Sequence, residues 1–207
     1  MELGRHPLRR RRSSLERRRH RGLRRGRRPR SAPRGTRGGA TRAALRTTAM
    51  TVVVEEVGPD DWRRWRALRL RALSDDAEAF ARSAHAWIEG GDTEARWRER
   101  LSGADRLFVA TDDEVDLGIV GASPRSDQCE LISMWVASEG RGRGVGRALV
   151  ERVLEVAQDR PVALRVMAGN ARAQGFYEAM GFVLDGAPLD DEGTLTMRRP
   201  AGGRGSR

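Results

Sequence analysis

The chain has no lysine, although it carries forty arginines in 207 residues. A tail selected to neutralise phosphate would use both cations, so this bias is what a strong codon preference for G and C produces. The single cysteine, Cys129, excludes an intramolecular disulfide and a cysteine-only metal site. Three histidines argue against an all-protein zinc cage, so no metal is expected. There is one tyrosine, Tyr177, so any phenolic acid in the chemistry must be this residue. No run of about 18 apolar residues occurs, which predicts no membrane span, and the arginine-rich beginning lacks the apolar stretch of a secretory signal. A reducing cytoplasmic setting fits. The length leaves room for one ordinary domain with an appendage and excludes two large domains.

The formal net charge of +11 points to a nucleic-acid binder until it is divided along the chain. Residues 1–49 hold eighteen Arg against Glu2 and Glu16, a net of +16, whereas residues 50–207 hold twenty-two Arg against twenty-seven acids, a net of −5. The basic segment has few aliphatic residues, no aromatic one and many Gly, Pro and Ser. It cannot bury a core and is expected to be disordered. Three origins fit it: upstream sequence read in frame, with Met50 as the natural start; a solvated basic tail that touches nucleic acid; or a targeting peptide. Against the last, the arginine runs at 9–12 and 17–19 leave no apolar helix face. A folded domain is expected over 50–200, followed by a flexible tail at 201–207.

Within that domain the β-branched run at 51–57, bounded by Gly58 and Pro59, predicts a first strand. Asp60 is a candidate N-cap for an amphipathic helix in which Trp65, Leu68, Leu70 and Leu73 alternate with Arg63, Arg64, Arg66, Arg69 and Arg71. A second helix is expected over 80–88, and a third, capped by Asp92 or Thr93, carries Trp97 and Leu101. Strands are predicted at 105–111 and 117–122 around the polar turn Asp112, Asp113, Glu114, and another at 130–136. A long helix over 144–159 follows, striped by Val145, Leu149, Val153 and Val156; then come a strand at 162–167, a helix from the Asn170 cap to Met180, and strands at 182–184 and 194–198. The result is an α/β class: a mixed, mostly antiparallel central sheet with helices on both faces.

Glycines at 142, 144 and 146 lie between a strand and the first turn of a helix. Glycine lets the backbone approach a phosphate closely, and unpaired N–H groups at a helix start favour an anion. A nucleotide-hydrolysing loop needs Lys and Ser/Thr after its last glycine, where this chain has Arg147 and Ala148; a dinucleotide fingerprint needs a different spacing at the start of a βαβ unit. The simplest structural alternative is a tight strand-to-helix turn.

Arg141-x-x-Gly144-x-Gly146 resembles the acetyl-CoA pyrophosphate motif of the GNAT superfamily of N-acetyltransferases, R/Q-x-x-G-x-G/A. Asn170-x-x-Ala173-x-x-x-Tyr177-x-x-x-Gly181-Phe182 resembles that superfamily's second signature, and the strand at 130–136 is similar to the one that splays to admit the cofactor. The similarity spans about 50–200. It implies a GNAT-like fold, with acetyl-CoA as co-substrate. Backbone amides from Arg141, Gly142, Arg143, Gly144, Val145 and Gly146 would hold the pyrophosphate. The main chain of Trp135 and Val136, with Asn170, would hold the pantetheine arm. Tyr177 would protonate the leaving thiolate, and the Val136 N–H would face the oxyanion.

Position alone gives Tyr177 a competing role, because Ala173, Phe176, Tyr177 and Met180 form a core stripe. Glu130 matches the strand position of a catalytic glutamate in some members; on a regular strand it shares a face with Ile132, Met134 and Val136, which would raise its basicity, while a water chain serves as base in others. The usual Pro before the motif Arg is replaced by Ser138, Glu139 and Gly140, and Gly175 interrupts a helix, either for close approach or simply tolerated. The acceptor, a small-molecule or peptide amine, would enter over the helices of 60–100 and the loop at 121–127, with the protein a monomer or homodimer. Trp62, Trp65, Phe80, Trp87 and Trp97 read mainly as packing. The competing classes are a catalytically silent CoA-binding module and a nucleic-acid-associated protein acting through its basic tail.

Overall fold

The computed structural model describes residues 51–80 and 92–202. The basic segment, the C-terminal tail beyond 202 and most of the helix expected at 80–88, with Trp87, lie outside the described residues. Seven strands among the described residues form one sheet in the order β1-β2-β3-β4-β5-β7-β6. They are β1 (Val53–Val57), β2 (Arg106–Asp112), β3 (Val115–Pro124), β4 (Cys129–Val136), β5 (Val162–Met167), β6 (Val183–Leu184) and β7 (Thr194–Arg199). Every neighbour pair is antiparallel except β4 and β5. The expected α/β class with a mostly antiparallel sheet is what the chain adopts.

Among the described residues four α-helices cover the sheet: α1 (Trp62–Asp75), α2 (Glu94–Ser102), α3 (Val145–Ala157) and α4 (Ala171–Ala179). On one face Val145, Leu149, Val150 and Val153 of α3 and Tyr177 of α4 pack with Phe108, Val120 and Leu131 of the sheet. On the other, Trp65, Leu68 and Ala72 of α1 and Trp97 and Leu101 of α2 pack with Leu107, Val109, Ile119 and Trp135. Each fully buried Val or Leu contributes at most about 1.5–3 kcal/mol from removal of apolar surface, so α3 is held by its stripe rather than by its propensity. Among the described residues no helix is long and apolar enough to cross a membrane.

Local chemistry explains the boundaries. Asp113 and Glu114 both take positive φ, 46° and 67°, which makes the β2–β3 connection a two-residue hairpin whose twist matches its strands. Thr93 rather than Asp92 caps α2, accepting from the Arg96 N–H at 3.4 Å, while Asp92 accepts from the Trp97 indole at 2.9 Å. Asp60 does not cap α1. A single 3-10 turn, Pro59–Asp61, precedes that helix, with Asp61 accepting from the Gly58 N–H; Asp60 pairs instead with Arg98. Asn170 caps α4 as expected, accepting from the Ala173 N–H at 3.0 Å.

Two departures from the predicted pattern shape the site. Arg69, expected on the solvated side of α1, is buried beside Leu68, Ala72 and Leu73. In β4 a bulge interrupts the register between Ile119 and Gly121 of β3, and Ser133 takes a φ of 55°. One extra residue reverses the alternation of side chains. Met134 and Val136 therefore pack on the same face as Cys129 and Leu131, against α3, while Ile132 meets Gly121 and Leu107 on the other. Glu130 consequently shares a face with Ile132 but not with Met134 or Val136, which corrects the regular-strand expectation.

Candidate active site

β4 and β5 pair only at Cys129–Val162 and Glu130–Ala163, then separate. From Leu131 to Val136 the β4 edge has no β5 partner, and the opening is occupied by two adjoining cavities. One, of about 440 Å³, is lined by Trp135, Val136, Gly140, Arg141, Gly142, Gly144 and Gly146, with Phe176 beside them. The other, of about 610 Å³, is lined by Glu130, Ile132, Ser133, Arg69, Arg165, Asp191 and Arg198 among others. Met134, Asn170, Ala173 and Tyr177 line both and mark where they meet.

The smaller cavity borders the glycine turn that follows β4. A 3-10 turn, Ser138–Gly140, leads from the end of β4 into the glycine turn. Gly142 and Gly144 hold φ of 74° and 87°, a region side chains rarely adopt, and a Cβ at either would meet nothing within 4 Å. The turn is thus held open by backbone geometry, not by crowding. Gly144 is the N-cap of α3, and the first backward bond from the helix is the Ala148 N–H to the Gly144 carbonyl, at 3.0 Å. The preceding N–H groups of the first turn have no intrahelical acceptor, which makes this end attractive to an anion. Arg141, Arg147 and Arg172 add positive charge to the lining.

A carboxylate that the sequence did not single out braces this wall. Asp76, the residue after α1, accepts from the Trp135 indole at 2.8 Å and from the Arg141 guanidinium at 2.5 Å, while Arg141 Nε donates to the Val136 carbonyl at 3.0 Å. The Arg141 side chain is therefore a strut, leaving the backbone to face the cavity. Arg143 and Val145 also turn away from it: Arg143 pairs with Asp112 at 3.1 Å, and Val145 is buried in the core.

At the junction, Tyr177 is 7% exposed, between Phe176 and Phe182, with ring centroids 5.2 and 5.7 Å away. Burial alone pushes its phenol above the usual tyrosine range, so at neutral pH it carries its proton. Glu130 lines only the larger cavity; it is part-exposed, with Arg125 at 3.4 Å. Among the described residues no group of His, Cys, Asp and Glu is arranged to hold a metal ion.

Residues 62–182 match the family described as acetyltransferase (GNAT), and this stretch is more than half of the chain. The chain belongs to the GNAT acetyltransferase family. Its relatives include N-alpha-acetyltransferase 40 of Saccharomyces cerevisiae, 39% identical over 123 residues (52% of this chain and 42% of that protein). They also include the 5-NmdU N-acetyltransferase of Pseudomonas phage PaMx11, 33% identical over 74 residues (36% of this chain and 53% of that protein). The chain spans about half the length, or less, of the curated relatives it matches. The PaiA N-acetyltransferase of Thermoplasma acidophilum, solved in complex with coenzyme A, shares the fold with a TM-score of 0.60 over 73% of this chain and 99% of that one, at 13% identity.

Proposed function

We propose that this GNAT protein transfers the acetyl group of acetyl-CoA to a primary amine of a small molecule or peptide, in a cytoplasmic setting. The observation that carries the reading is the meeting, at Tyr177, of a cavity walled by an open glycine turn and a second walled by ionisable side chains. One end suits a phosphorylated thioester and the other an amine. The positive φ values at Gly142 and Gly144, the unbonded first turn of α3 and the nearby guanidiniums all fit a pyrophosphate.

Bound acetyl-CoA supplies an activated acyl carbon. Within the turn 141–146 the Arg141 and Arg143 N–H groups donate to the Ser138 and Gly140 carbonyls, at 3.3 and 3.4 Å, so those of Gly142, Gly144, Val145 and Gly146 hold its pyrophosphate, and the open β4 edge at Trp135 and Val136 takes the pantetheine arm as an added strand. The Asn170 carboxamide, whose oxygen is used in capping, offers its nitrogen to the same arm. The Val136 N–H stabilises negative charge on the carbonyl oxygen. Tyr177 donates its proton to the departing sulfur; a thiolate in the same poorly solvated cleft is itself a stronger base than in water, which offsets the raised affinity of the phenol for its proton. Glu130, at the amine side, takes the proton of the acceptor ammonium, directly or through water.

We take the domain to be 50–200, a reading supported by a sheet and core clusters that draw on residues from Val52 to Arg199. An acceptor screen that reads released free thiol, spanning polyamines, aminoglycosides, amino acids and N-terminal peptides, tests the activity. Acceptor-dependent thiol release supports transfer. Tight acetyl-CoA binding with no release above the buffer rate for any amine would instead identify a silent CoA-binding module.

A further inference from the structure

At the wall of the larger cavity lies a positive charge that no carboxylate among the described residues balances. Arg69 is 5% exposed and lines this cavity, yet its Nη1 is fully buried with no hydrogen-bond partner. Its neighbours on α1 differ: Arg64 pairs with Asp116 and Glu55, Arg66 with Asp92, and Arg71 with Glu139. Among the described residues, the groups facing the Arg69 guanidinium are the Phe80 ring, with its centroid 4.6 Å away, and the like charge of Arg100. Burial first, and then Arg100, push it down to about 10, which still leaves it charged at neutral pH. Buried cations are nearly always paired, and an uncompensated one is costly to hold. A missing anionic partner at the wall of a ligand cavity is most simply an anion on the ligand.

We propose that Arg69 binds a carboxylate of the acceptor, so that the amines acetylated here are those that also carry a carboxylate. This rests on the acetyltransferase reading above. A single planar guanidinium matches a singly charged carboxylate in fork geometry. The other cations of the cavity are engaged, Arg165 with Asp190 at 3.7 Å and Arg198 with Asp185 at 3.1 Å, and Glu130 and Asp191 oppose a doubly charged phosphate. The carboxylate can be the α-carboxylate of a free amino acid or an acidic side chain next to a peptide N-terminus.

The full chain, saturated with acetyl-CoA, is assayed with amino acids against their carboxamides, and with peptide amides bearing Glu against Gln at the second position. In the series that matches the substrate, the carboxylate form is expected to have a kcat/KM about 10–100-fold above its amide, the scale of a charge-assisted hydrogen bond. Arg69→Met brings that ratio to about one, and Arg69→Lys keeps part of it; Arg69→Gln replaces the Met variant if that fails to fold. A ratio near one in the parent for both series, or a ratio that survives Arg69→Met, overturns the proposal. If no amine reacts, the acetyltransferase reading is what fails, and Arg69 is judged by thermal shift with N-acetylglycine and its amide. A carboxylate-specific rise in Tm that is lost in Arg69→Met supports the anion site; equal responses of parent and variant refute it.

Discussion

At the glycine end of the cleft much of the cavity lining comes from one stretch, 134–147, whereas the larger cavity is lined from α1, β4, β5 and β7 and the loop before β7. The difference fits what each end is proposed to bind. A pyrophosphate is satisfied by N–H groups at a helix start, which any sequence with glycines at the right positions supplies. An acceptor is selected by charge and shape, which only side chains provide. One end is therefore written locally and the other is assembled by the fold.

The comparison is broken most severely at the junction. Tyr177→Phe removes the proposed acid and leaves the ring packing against Phe176 and Phe182 intact; kcat for a reactive amine should fall by about 10²–10⁴-fold with little change in acetyl-CoA affinity. Steady-state kinetics beside calorimetric titration separates the two. If kcat barely changes, proximity of the bound reactants supplies the rate instead.

The glycine end also depends on contacts distant in sequence, and Asp76 tests one set of them. Asp76→Ala frees both the Trp135 indole and the Arg141 guanidinium, and the dissociation constant of acetyl-CoA should rise by about tenfold, the order expected for a lost charge-assisted hydrogen bond. Unchanged affinity would mean that the turn keeps its form without the brace.

Gly175 probes a position that belongs to neither end. It lies within α4, and a Cβ there would meet nothing within 4 Å, so no close approach requires glycine. Gly175→Ala should stabilise the fold by about 1 kcal/mol, measured by denaturant unfolding, with acetyl-CoA binding preserved. The smallest effect is expected from removing the basic segment: a chain starting at Met50 should fold and bind acetyl-CoA as the full chain does, while losing any salt-sensitive affinity for nucleic acid.

These two ends also differ in how legible they were in the sequence. Gly142, Gly144 and Gly146 could be read because the turn needs specific residues at fixed short spacings, and Asn170 because a cap acts on its own helix. The sheet was legible through β-branched runs and turn residues, with most boundaries within two residues of those adopted. Arg69 was not: on a helix wheel it is one arginine among five, and only the docking of α1 on the sheet decides that it is buried. Asp76 was missed because its partners are 59 and 65 residues away. The face of Glu130 was misread because a bulge with Ser133 at positive φ leaves no mark in a pattern of alternating residues.

The central claim, that the main chain of the glycine turn holds acetyl-CoA, is tested most directly by calorimetric titration of acetyl-CoA into the parent and into Gly144→Val. Gly144 holds φ at 87° with open space in front of it, so a β-branched residue both strains the turn and fills the place of the ligand. The account predicts binding in the micromolar range for the parent and a loss of at least about 100-fold in a variant that remains folded. Equal affinity in the two proteins would contradict it.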